Sequence, residues 1–183
     1  VVVAADYDRD GDLDLFVGGR VIPGSYPDAP RSRLLQNRGG RFTDVTFKSP
    51  TLLKPGLVTG ALWSDADGDG WIDLLVSNEW GPVKFFRNEE GRLVDHTEAA
   101  GLATHLGWWT GISGGDFDND GDKDLFVTRY MAKCKLYCND GSGLFTDCSS
   151  EYGLDIVRPC VSACLLDYNG DGFLDVYIGV NGN

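Results

Sequence analysis

A nine-residue pattern rich in carboxylates, Asp-x-Asp/Asn-x-Asp-Gly-x-x-Asp, occurs four times in this 183-residue chain. It reads DYDRDGDLD from Asp6, DADGDGWID from Asp65, DFDNDGDKD from Asp116 and DYNGDGFLD from Asp167. Alternate residues of a tight loop can turn their side chains toward one centre, and a hard cation such as Ca²⁺ takes about six to eight oxygen ligands. In the first loop Asp6, Asp8, Asp10 and Asp14 would supply carboxylates from positions 1, 3, 5 and 9, and Asp12 its main-chain carbonyl from position 7. Gly11, at position 6, permits the bend by adopting positive φ. The same roles fall to Asp65, Asp67, Asp69, Trp71 and Asp73, to Asp116, Asp118, Asp120, Asp122 and Asp124, and to Asp167, Asn169, Asp171, Phe173 and Asp175. Carboxylates this close repel, and a bound cation is the simplest way to keep them ionised. Solvated acidic turns are the alternative. Zn²⁺ fits poorly because His and Cys are absent from the loops, and Mg²⁺ prefers a rigid octahedral shell. The expectation is therefore about four Ca²⁺ sites. The fourth, with Asn169 in place of an acid, should be the weakest.

The elements that would carry these loops read as strands. An apolar run follows each loop directly: Leu15–Val17, Leu74–Val76, Leu125–Val127 and Val176–Ile178. Short continuous runs of this type suit strands buried on both faces. These runs occupy position 12, where an EF-hand would place its closing Glu, so the loop is flanked by strand and not helix. Turns at Asn37, Asn88 and Asn139 then divide two short strands, a hairpin signature. Another strand precedes each loop, as in Gly60–Ser64 and Ser162–Leu166. The unit repeats at spacings of 59, 51 and 51 residues. About four strands per repeat of this length predict all-β propeller blades, three complete and part of a fourth. The units run over about 1–59, 60–110, 111–161 and 162–183, in one propeller segment. A sandwich or barrel is the plainer alternative, but neither predicts a fixed loop at a fixed phase.

Composition narrows the function. Asp and Glu outnumber Lys and Arg 28 to 16, giving a net charge of −12. That disfavours nucleic acid, whose phosphates need clustered cations, and docking on an anionic membrane. No apolar stretch approaches the ~20 residues of a membrane span. Val1–Ala5 is too short for a signal-peptide core, and without an initiator Met the chain reads as a mature or excised segment. The first unit holds eight extra residues, and Gly18–Arg33, with Pro23, Pro27 and Pro30, reads as a stiff protruding loop. Arg20, Arg31, Arg33, Arg38 and Arg41 gather there, which suggests either a solvated loop or a partner-binding one.

Five Cys fall between Cys134 and Cys164. Residues four apart on a strand are ~13 Å apart, beyond disulfide reach. Neither Cys134–Cys138 nor Cys160–Cys164 can then bond internally, and bridges must cross strands or blades, for instance among Cys138, Cys148 and the strand of Cys160 and Cys164. Buried thiols and a zinc site are the alternatives. Disulfides and calcium loops both suit a secreted or cell-surface protein. Trp108 and Trp109 face opposite ways on a strand, one into the core and the other as inter-blade packing or a sugar platform. No nucleophile elbow, phosphate loop or dinucleotide fingerprint appears. His96 sits at a packing position, and His105 is isolated.

The four DxDxDGxxD loops, the Leu-Phe-Val-type strands and the hairpins LLQNRGGRFTDVT, FFRNEEGRLVDHT and LYCNDGSGLFTDCS make the chain resemble the FG-GAP/VCBS repeat family. These are the calcium-loop blades of integrin α-type β-propellers and of bacterial VCBS proteins, some joined to an ASPIC/UnbV module. The stretch from Gly18 to Tyr130 is particularly similar to the latter. The resemblance implies a propeller fold, bound calcium and a role in adhesion, ligand display or scaffolding. The resulting reading is a non-catalytic, extracellular calcium-binding module for adhesion, ligand binding or assembly. Its alternatives are a carbohydrate-binding propeller or the scaffold of a polysaccharide-active enzyme. Expected partners are a protein or glycan ligand, or further copies of the chain joined head to tail. Two strands of the fourth unit fall beyond Asn183, so an open edge would need further chain or another copy to cover it.

Overall fold

The computed structural model describes residues 1–182, leaving only the last residue of the fourth unit outside. The chain is all-β and antiparallel. The first blade runs β1 (Val2–Ala5), β2 (Asp14–Val17), β3 (Arg33–Arg38) and β4 (Arg41–Asp44), paired in that order. The second comprises β5 (Leu57–Ser64), β6 (Asp73–Gly81), β7 (Lys84–Asn88) and β8 (Leu93–Asp95). The third comprises β9 (Gly107–Gly115), β10 (Asp124–Lys133), β11 (Lys135–Asn139) and β12 (Phe145–Asp147). The hairpin β13 (Val157–Leu166) and β14 (Asp175–Val180) opens the fourth. Short 3-10 turns at Thr46–Lys48, Pro50–Leu53 and Leu102–Thr104 link blades. The Glu98–Ala100 segment is a hydrogen-bonded turn leading into the last of these.

The cores lie between blades, as the apolar runs require. In β6, Leu74 and Val76 pack toward the first blade while Leu75 packs toward the third. In β10, Leu125 and Val127 face the second blade, and Phe126 faces Cys160, Val176 and Ile178 of the fourth. A strand that must be apolar on both faces reads as an unbroken apolar run instead of an alternating one. Trp109 is fully buried, whereas Trp108 is half-buried beside Trp80 and Tyr130, as opposite faces demand.

The second strand of a blade also reaches its neighbour. Past Glu79, β6 leaves β5 and pairs with β9, setting Glu79 against Trp108 and Gly81 against Gly107. β10 does the same with β13 beyond Tyr130. Both changes of partner occur at a bulge whose residue holds positive φ, Trp80 at +63° and Met131 at +54°. A bulge bends its strand and re-aims the edge, which here hands the ladder to the next blade.

Each complete blade is closed by the same side-chain device. Asp44 accepts hydrogen bonds from the Thr46 N–H and hydroxyl, and the Thr46 Oγ1 accepts the Leu34 N–H. Asp95 and Thr97 serve the Phe85 N–H in the same way, and Asp147 and Ser149 serve the Leu136 N–H. A cation at the start of each third strand completes it: Arg33 on Asp44, Lys84 on Asp95, Lys135 on Asp147. The inserted loop of the first blade is tied down. Arg20 pairs with the buried Glu79 at 2.7 Å, Tyr26 donates to the same carboxylate at 2.8 Å, and Arg31 lies 3.7 Å from Asp44. Three of its basic groups thus serve contacts within the chain.

Burial alone would push the Asp95 carboxyl up, but the Lys84 ammonium and the Thr97 hydroxyl and amide outweigh it and hold it below the usual carboxylate range. A lowered folded-state value contributes stability above the unfolded pKa, and that stability is lost as pH falls through the folded value. Asp95→Asn should therefore be less stable than the native chain at neutral pH. The gap should close as the pH drops below about 4, where the unfolded carboxyl also protonates. Urea denaturation across this range measures the difference.

Candidate metal centres

The four acidic loops fold by one hydrogen-bond scheme. The position-1 carboxylate accepts the N–H of the position-6 glycine: Asp6 from Gly11, Asp65 from Gly70, Asp116 from Gly121 and Asp167 from Gly172, at 2.9–3.1 Å. Those glycines hold φ between +86° and +101°, in the region open to residues without a Cβ. The position-5 carboxylate accepts the position-7 N–H in every loop, from Asp12, Trp71, Asp122 and Phe173.

Position 9 is different. Asp14, Asp73 and Asp124 are fully buried, and each is gripped by two backbone amides from different elements. Asp73 accepts the Ala66 N–H at 3.0 Å and the Asn88 N–H at 2.7 Å. Asp124 accepts from Phe117 and Asn139 at 2.7 and 2.9 Å, and Asp14 from Tyr7 and Asn37 at 3.3 and 2.7 Å. Burial pushes all three carboxyls up, against the opposing pull of these amides, with the neighbouring loop acids adding to the rise. Asp73 reaches about 7. The fourth loop lacks the second clamp: Asp175 accepts the Tyr168 N–H at 2.9 Å and is exposed.

Three loops bring acids together. Asp6, Asp8 and Asp10 each place a carboxylate oxygen within 4.8 Å of the others, as do Asp65, Asp67 and Asp73, and Asp116, Asp118 and Asp124. Asp14, Asp69 and Asp120 stand outside these trios, and no trio forms in the fourth loop among the described residues. The donor set is all oxygen. Asp8 Oδ1 and Asp65 Oδ1 are buried with no hydrogen-bond partner, which is costly for a carboxylate oxygen unless a cation or water meets it. The residues therefore fit a hard divalent ion.

The loops differ in what already faces them. Arg87 donates to Asp67 and, at 3.1 Å, to Asp69. The equivalent residue of the first blade, Gln36, donates to Asp8 as a neutral amide. In the third blade the position is Cys138, which is bonded to Cys148 with Cα atoms 6.0 Å apart. That pairing joins β11 to the residue that follows β12 within one blade, in keeping with a bridge that crosses strands.

Several features escape the nine-residue pattern. Position 4 also adopts the left-handed conformation, at Arg9, Gly68, Asn119 and Gly170 with φ of +58° to +74°. Two glycines and an asparagine there are a readable signal; Arg9 masks it. Its guanidinium bonds to the Gly70 carbonyl and lies 4.1 Å over the Trp71 ring. The Trp71 side chain at position 7 thus has a packing role beyond its main chain. Asn119 reaches the Gly172 carbonyl of the next loop at 3.2 Å. The turn asparagines also look backward: Asn88 Nδ2 donates to Tyr7 O at 2.8 Å and Ile72 O at 2.9 Å, and Asn139 Nδ2 donates to Ala66 O at 2.8 Å. Each joins a third strand to the acidic loop of the preceding blade.

Four-stranded blades set side by side, each opening on an acidic turn, define a repeat protein of the β-propeller type. A family model described as FG-GAP-like repeat matches residues 6–76, 65–127 and 116–178, and the chain belongs to that family. It is similar to cartilage acidic protein 1 of Xenopus tropicalis, 26% identical over 97% of this chain and 30% of that protein. The Mus musculus protein of the same name is 28% identical over 49% of this chain and 14% of that protein. The chain thus spans less than a third of these relatives. Among solved structures, V. cholerae biofilm matrix protein Bap1 shares the fold at a TM-score of 0.50 and 19% identity, over 97% of this chain and 27% of that one.

Asn88 is buried, and its side chain satisfies carbonyls of two blades. Asn88→Ala leaves both without this donor and should cost about 2–6 kcal/mol, at about 1–3 kcal/mol per buried orphan. Asn37→Ala removes a solvent-exposed bond to Leu13 O and should cost less. Urea unfolding of the two variants checks the order.

Proposed function

We propose that this chain is a calcium-stabilised propeller module that works outside the cell in adhesion, ligand binding or assembly, without catalysis of its own. The observation that carries the reading is the convergence of carboxylate trios in three loops, two of them with an unpartnered buried oxygen at Asp8 or Asp65. A bound Ca²⁺ would supply positive charge and, in the second and third loops, join the two ends of the loop. Asp6, Asp8 and Asp10 would hold it in the first loop, with Asp14 fixing the loop's exit. Asp65, Asp67 and Asp73 would hold it in the second, and Asp116, Asp118 and Asp124 in the third. Asp167, Asn169, Asp171 and Asp175 form the weakest set. The Cys138–Cys148 disulfide supports an oxidising compartment. No helix among the described residues is long and apolar enough to cross a membrane.

Non-catalytic use is supported by where the titratable groups are engaged. His96 lies 3.4 Å from Glu89 and His105 lies 3.8 Å from Asp147, the latter acid already held by Lys135 and Ser149. A further copy of the chain, or more of the same chain, would suit the last hairpin. Val161, Leu166 and Tyr177 are exposed there. A second reading, carbohydrate binding, is favoured by the row Trp80–Trp108–Tyr130, with ring centroids 5.3 and 4.9 Å apart and Trp80 58% exposed beside Tyr26 and Glu79. Aromatic faces of this kind can stack on sugar rings. A glycan array that binds the native chain but not Trp80→Ala would support it, and an array blank for both would remove it.

Calcium titration followed by melting tests the main reading. A cation that binds only the folded chain stabilises it by about 2.7 kcal/mol per site at a hundredfold excess over Kd, so EDTA should lower the melting temperature markedly. The first and third loops should fill before the second, where Arg87 already neutralises Asp67 and Asp69, and before the fourth. Arg87→Ala should bring the second loop level with the third. A melt indifferent to EDTA, with no calcium by elemental analysis, overturns the proposal.

A further inference from the structure

Cys134 and Cys160 are both fully buried and share one apolar cluster with Phe126 and Leu136. Cys134 occupies the single-residue gap between β10 and β11, and its N–H bonds to Ile156 O at 3.0 Å, which brings the approach to β13 alongside. The ladder then sets Tyr130 against Pro159, so Cys160 enters one residue later. The Cys134 thiol faces the Arg129 backbone amide and meets the Cys160 thiol. The two thiols therefore lie in one buried cluster at the junction of the third and fourth blades. Neither belongs to the Cys138–Cys148 bridge.

The repeat shows what this position does. Counting from the acidic loops, Cys134 corresponds to Val83 and to Ser32, and Cys160 corresponds to Trp109 and to Val58. Val83 and Trp109 are fully buried in the cluster between the second and third blades. At the first junction, Gly19 links the pair, donating its N–H to Ser32 Oγ at 3.1 Å and accepting the Val58 N–H at 2.9 Å. This place thus fastens one blade to the next by packing or by hydrogen bonds. At the last junction it holds two thiols, and the bulk of the indole is absent.

We propose that Cys134 and Cys160 form a second disulfide, which covalently fastens the fourth blade to the third. The two thiols give up two protons and two electrons. A small-molecule or enzyme disulfide accepts them and leaves as two thiols, after passing through a mixed disulfide. Burial, with the contact to Cys160, pushes the Cys134 thiol up to about 12, so the thiolate that exchange requires is scarce once the blades have docked. The bond therefore forms during folding, while the junction is open. Cys164, exposed on β13, remains as the odd thiol. The inference stands apart from the calcium reading.

Refolding the full chain with reduced and oxidised glutathione, then counting thiols after unfolding without reductant, tests it. One thiol per chain is expected, and a non-reducing peptide map should join Cys134 to Cys160. Cys134→Ala should raise the count to two by releasing Cys160. Three thiols in the native chain, or a bridge from Cys164 to either residue, would overturn the proposal. Because the native chain decides the matter by itself, poor folding of the variant would not leave it open.

Discussion

The structure depends on a carboxylate taken out of water. Asp14, Asp73 and Asp124 close the acidic loops, yet each is fully buried. A buried charge is tolerated when hydrogen bonds or opposite charge meet it. Two amides do so here, one from the start of the loop and one from the third strand of the blade. The loop's closure and the hairpin's position are therefore one event. The asparagine that supplies the second amide also uses its side chain. In the second and third blades that side chain bonds back to the preceding acidic loop. One residue thus fixes loop to blade and blade to blade, and a cation in the loop would bear on all three.

Much of this was legible in the sequence because it is local. The glycine at position 6 and the alternating acids report a tight turn, and the unbroken apolar run behind them reports a strand covered on both faces. Both follow from steric and hydration rules within a few residues. Position 4 was less legible, because Arg9 holds a conformation that Gly68 and Gly170 announce and a lone arginine does not. The Asp-x-Thr/Ser device at Asp44, Asp95 and Asp147 is visible as a repeated spelling, but its purpose appears only when the hydroxyl is seen receiving a strand amide. Contacts such as Arg20 to Glu79 and Arg9 to Gly70 had no signal at all, since the partners lie 59 and 61 residues away. The basic cluster of the inserted loop was accordingly open to a partner-facing reading, while three of its cations are taken up within the chain.

The same repeat gives the loops unequal electrostatics through residues outside them. The side chain just before the turn asparagine is Gln36, Arg87 or Cys138, and it faces a neutral, cationic or covalently closed surrounding accordingly. A guanidinium on Asp67 and Asp69 provides part of what a metal would provide, at the cost of competing with it. Counting acids within the nine residues ranks the second loop with the first and third. Including the strand that faces it does not.

Blades in a linear array contact only their neighbours, so stability is distributed among the junctions. Here each junction is composite. Clusters of apolar side chains fill it and polar ties span its acidic rim, and at the second and third junctions the bulged second strand also carries a ladder across. The ties are not the same at every junction. Arg9 and Asn88 serve the first, Asn139 the second, and Asn119 the third. The third junction also has Thr110 and Ser113, whose hydroxyls donate to Cys160 O at 2.9 Å and Ala163 O at 2.8 Å. Cys134 and Cys160 sit at this junction too. A covalent bond there would add a tie that, unlike these hydrogen bonds, water cannot replace.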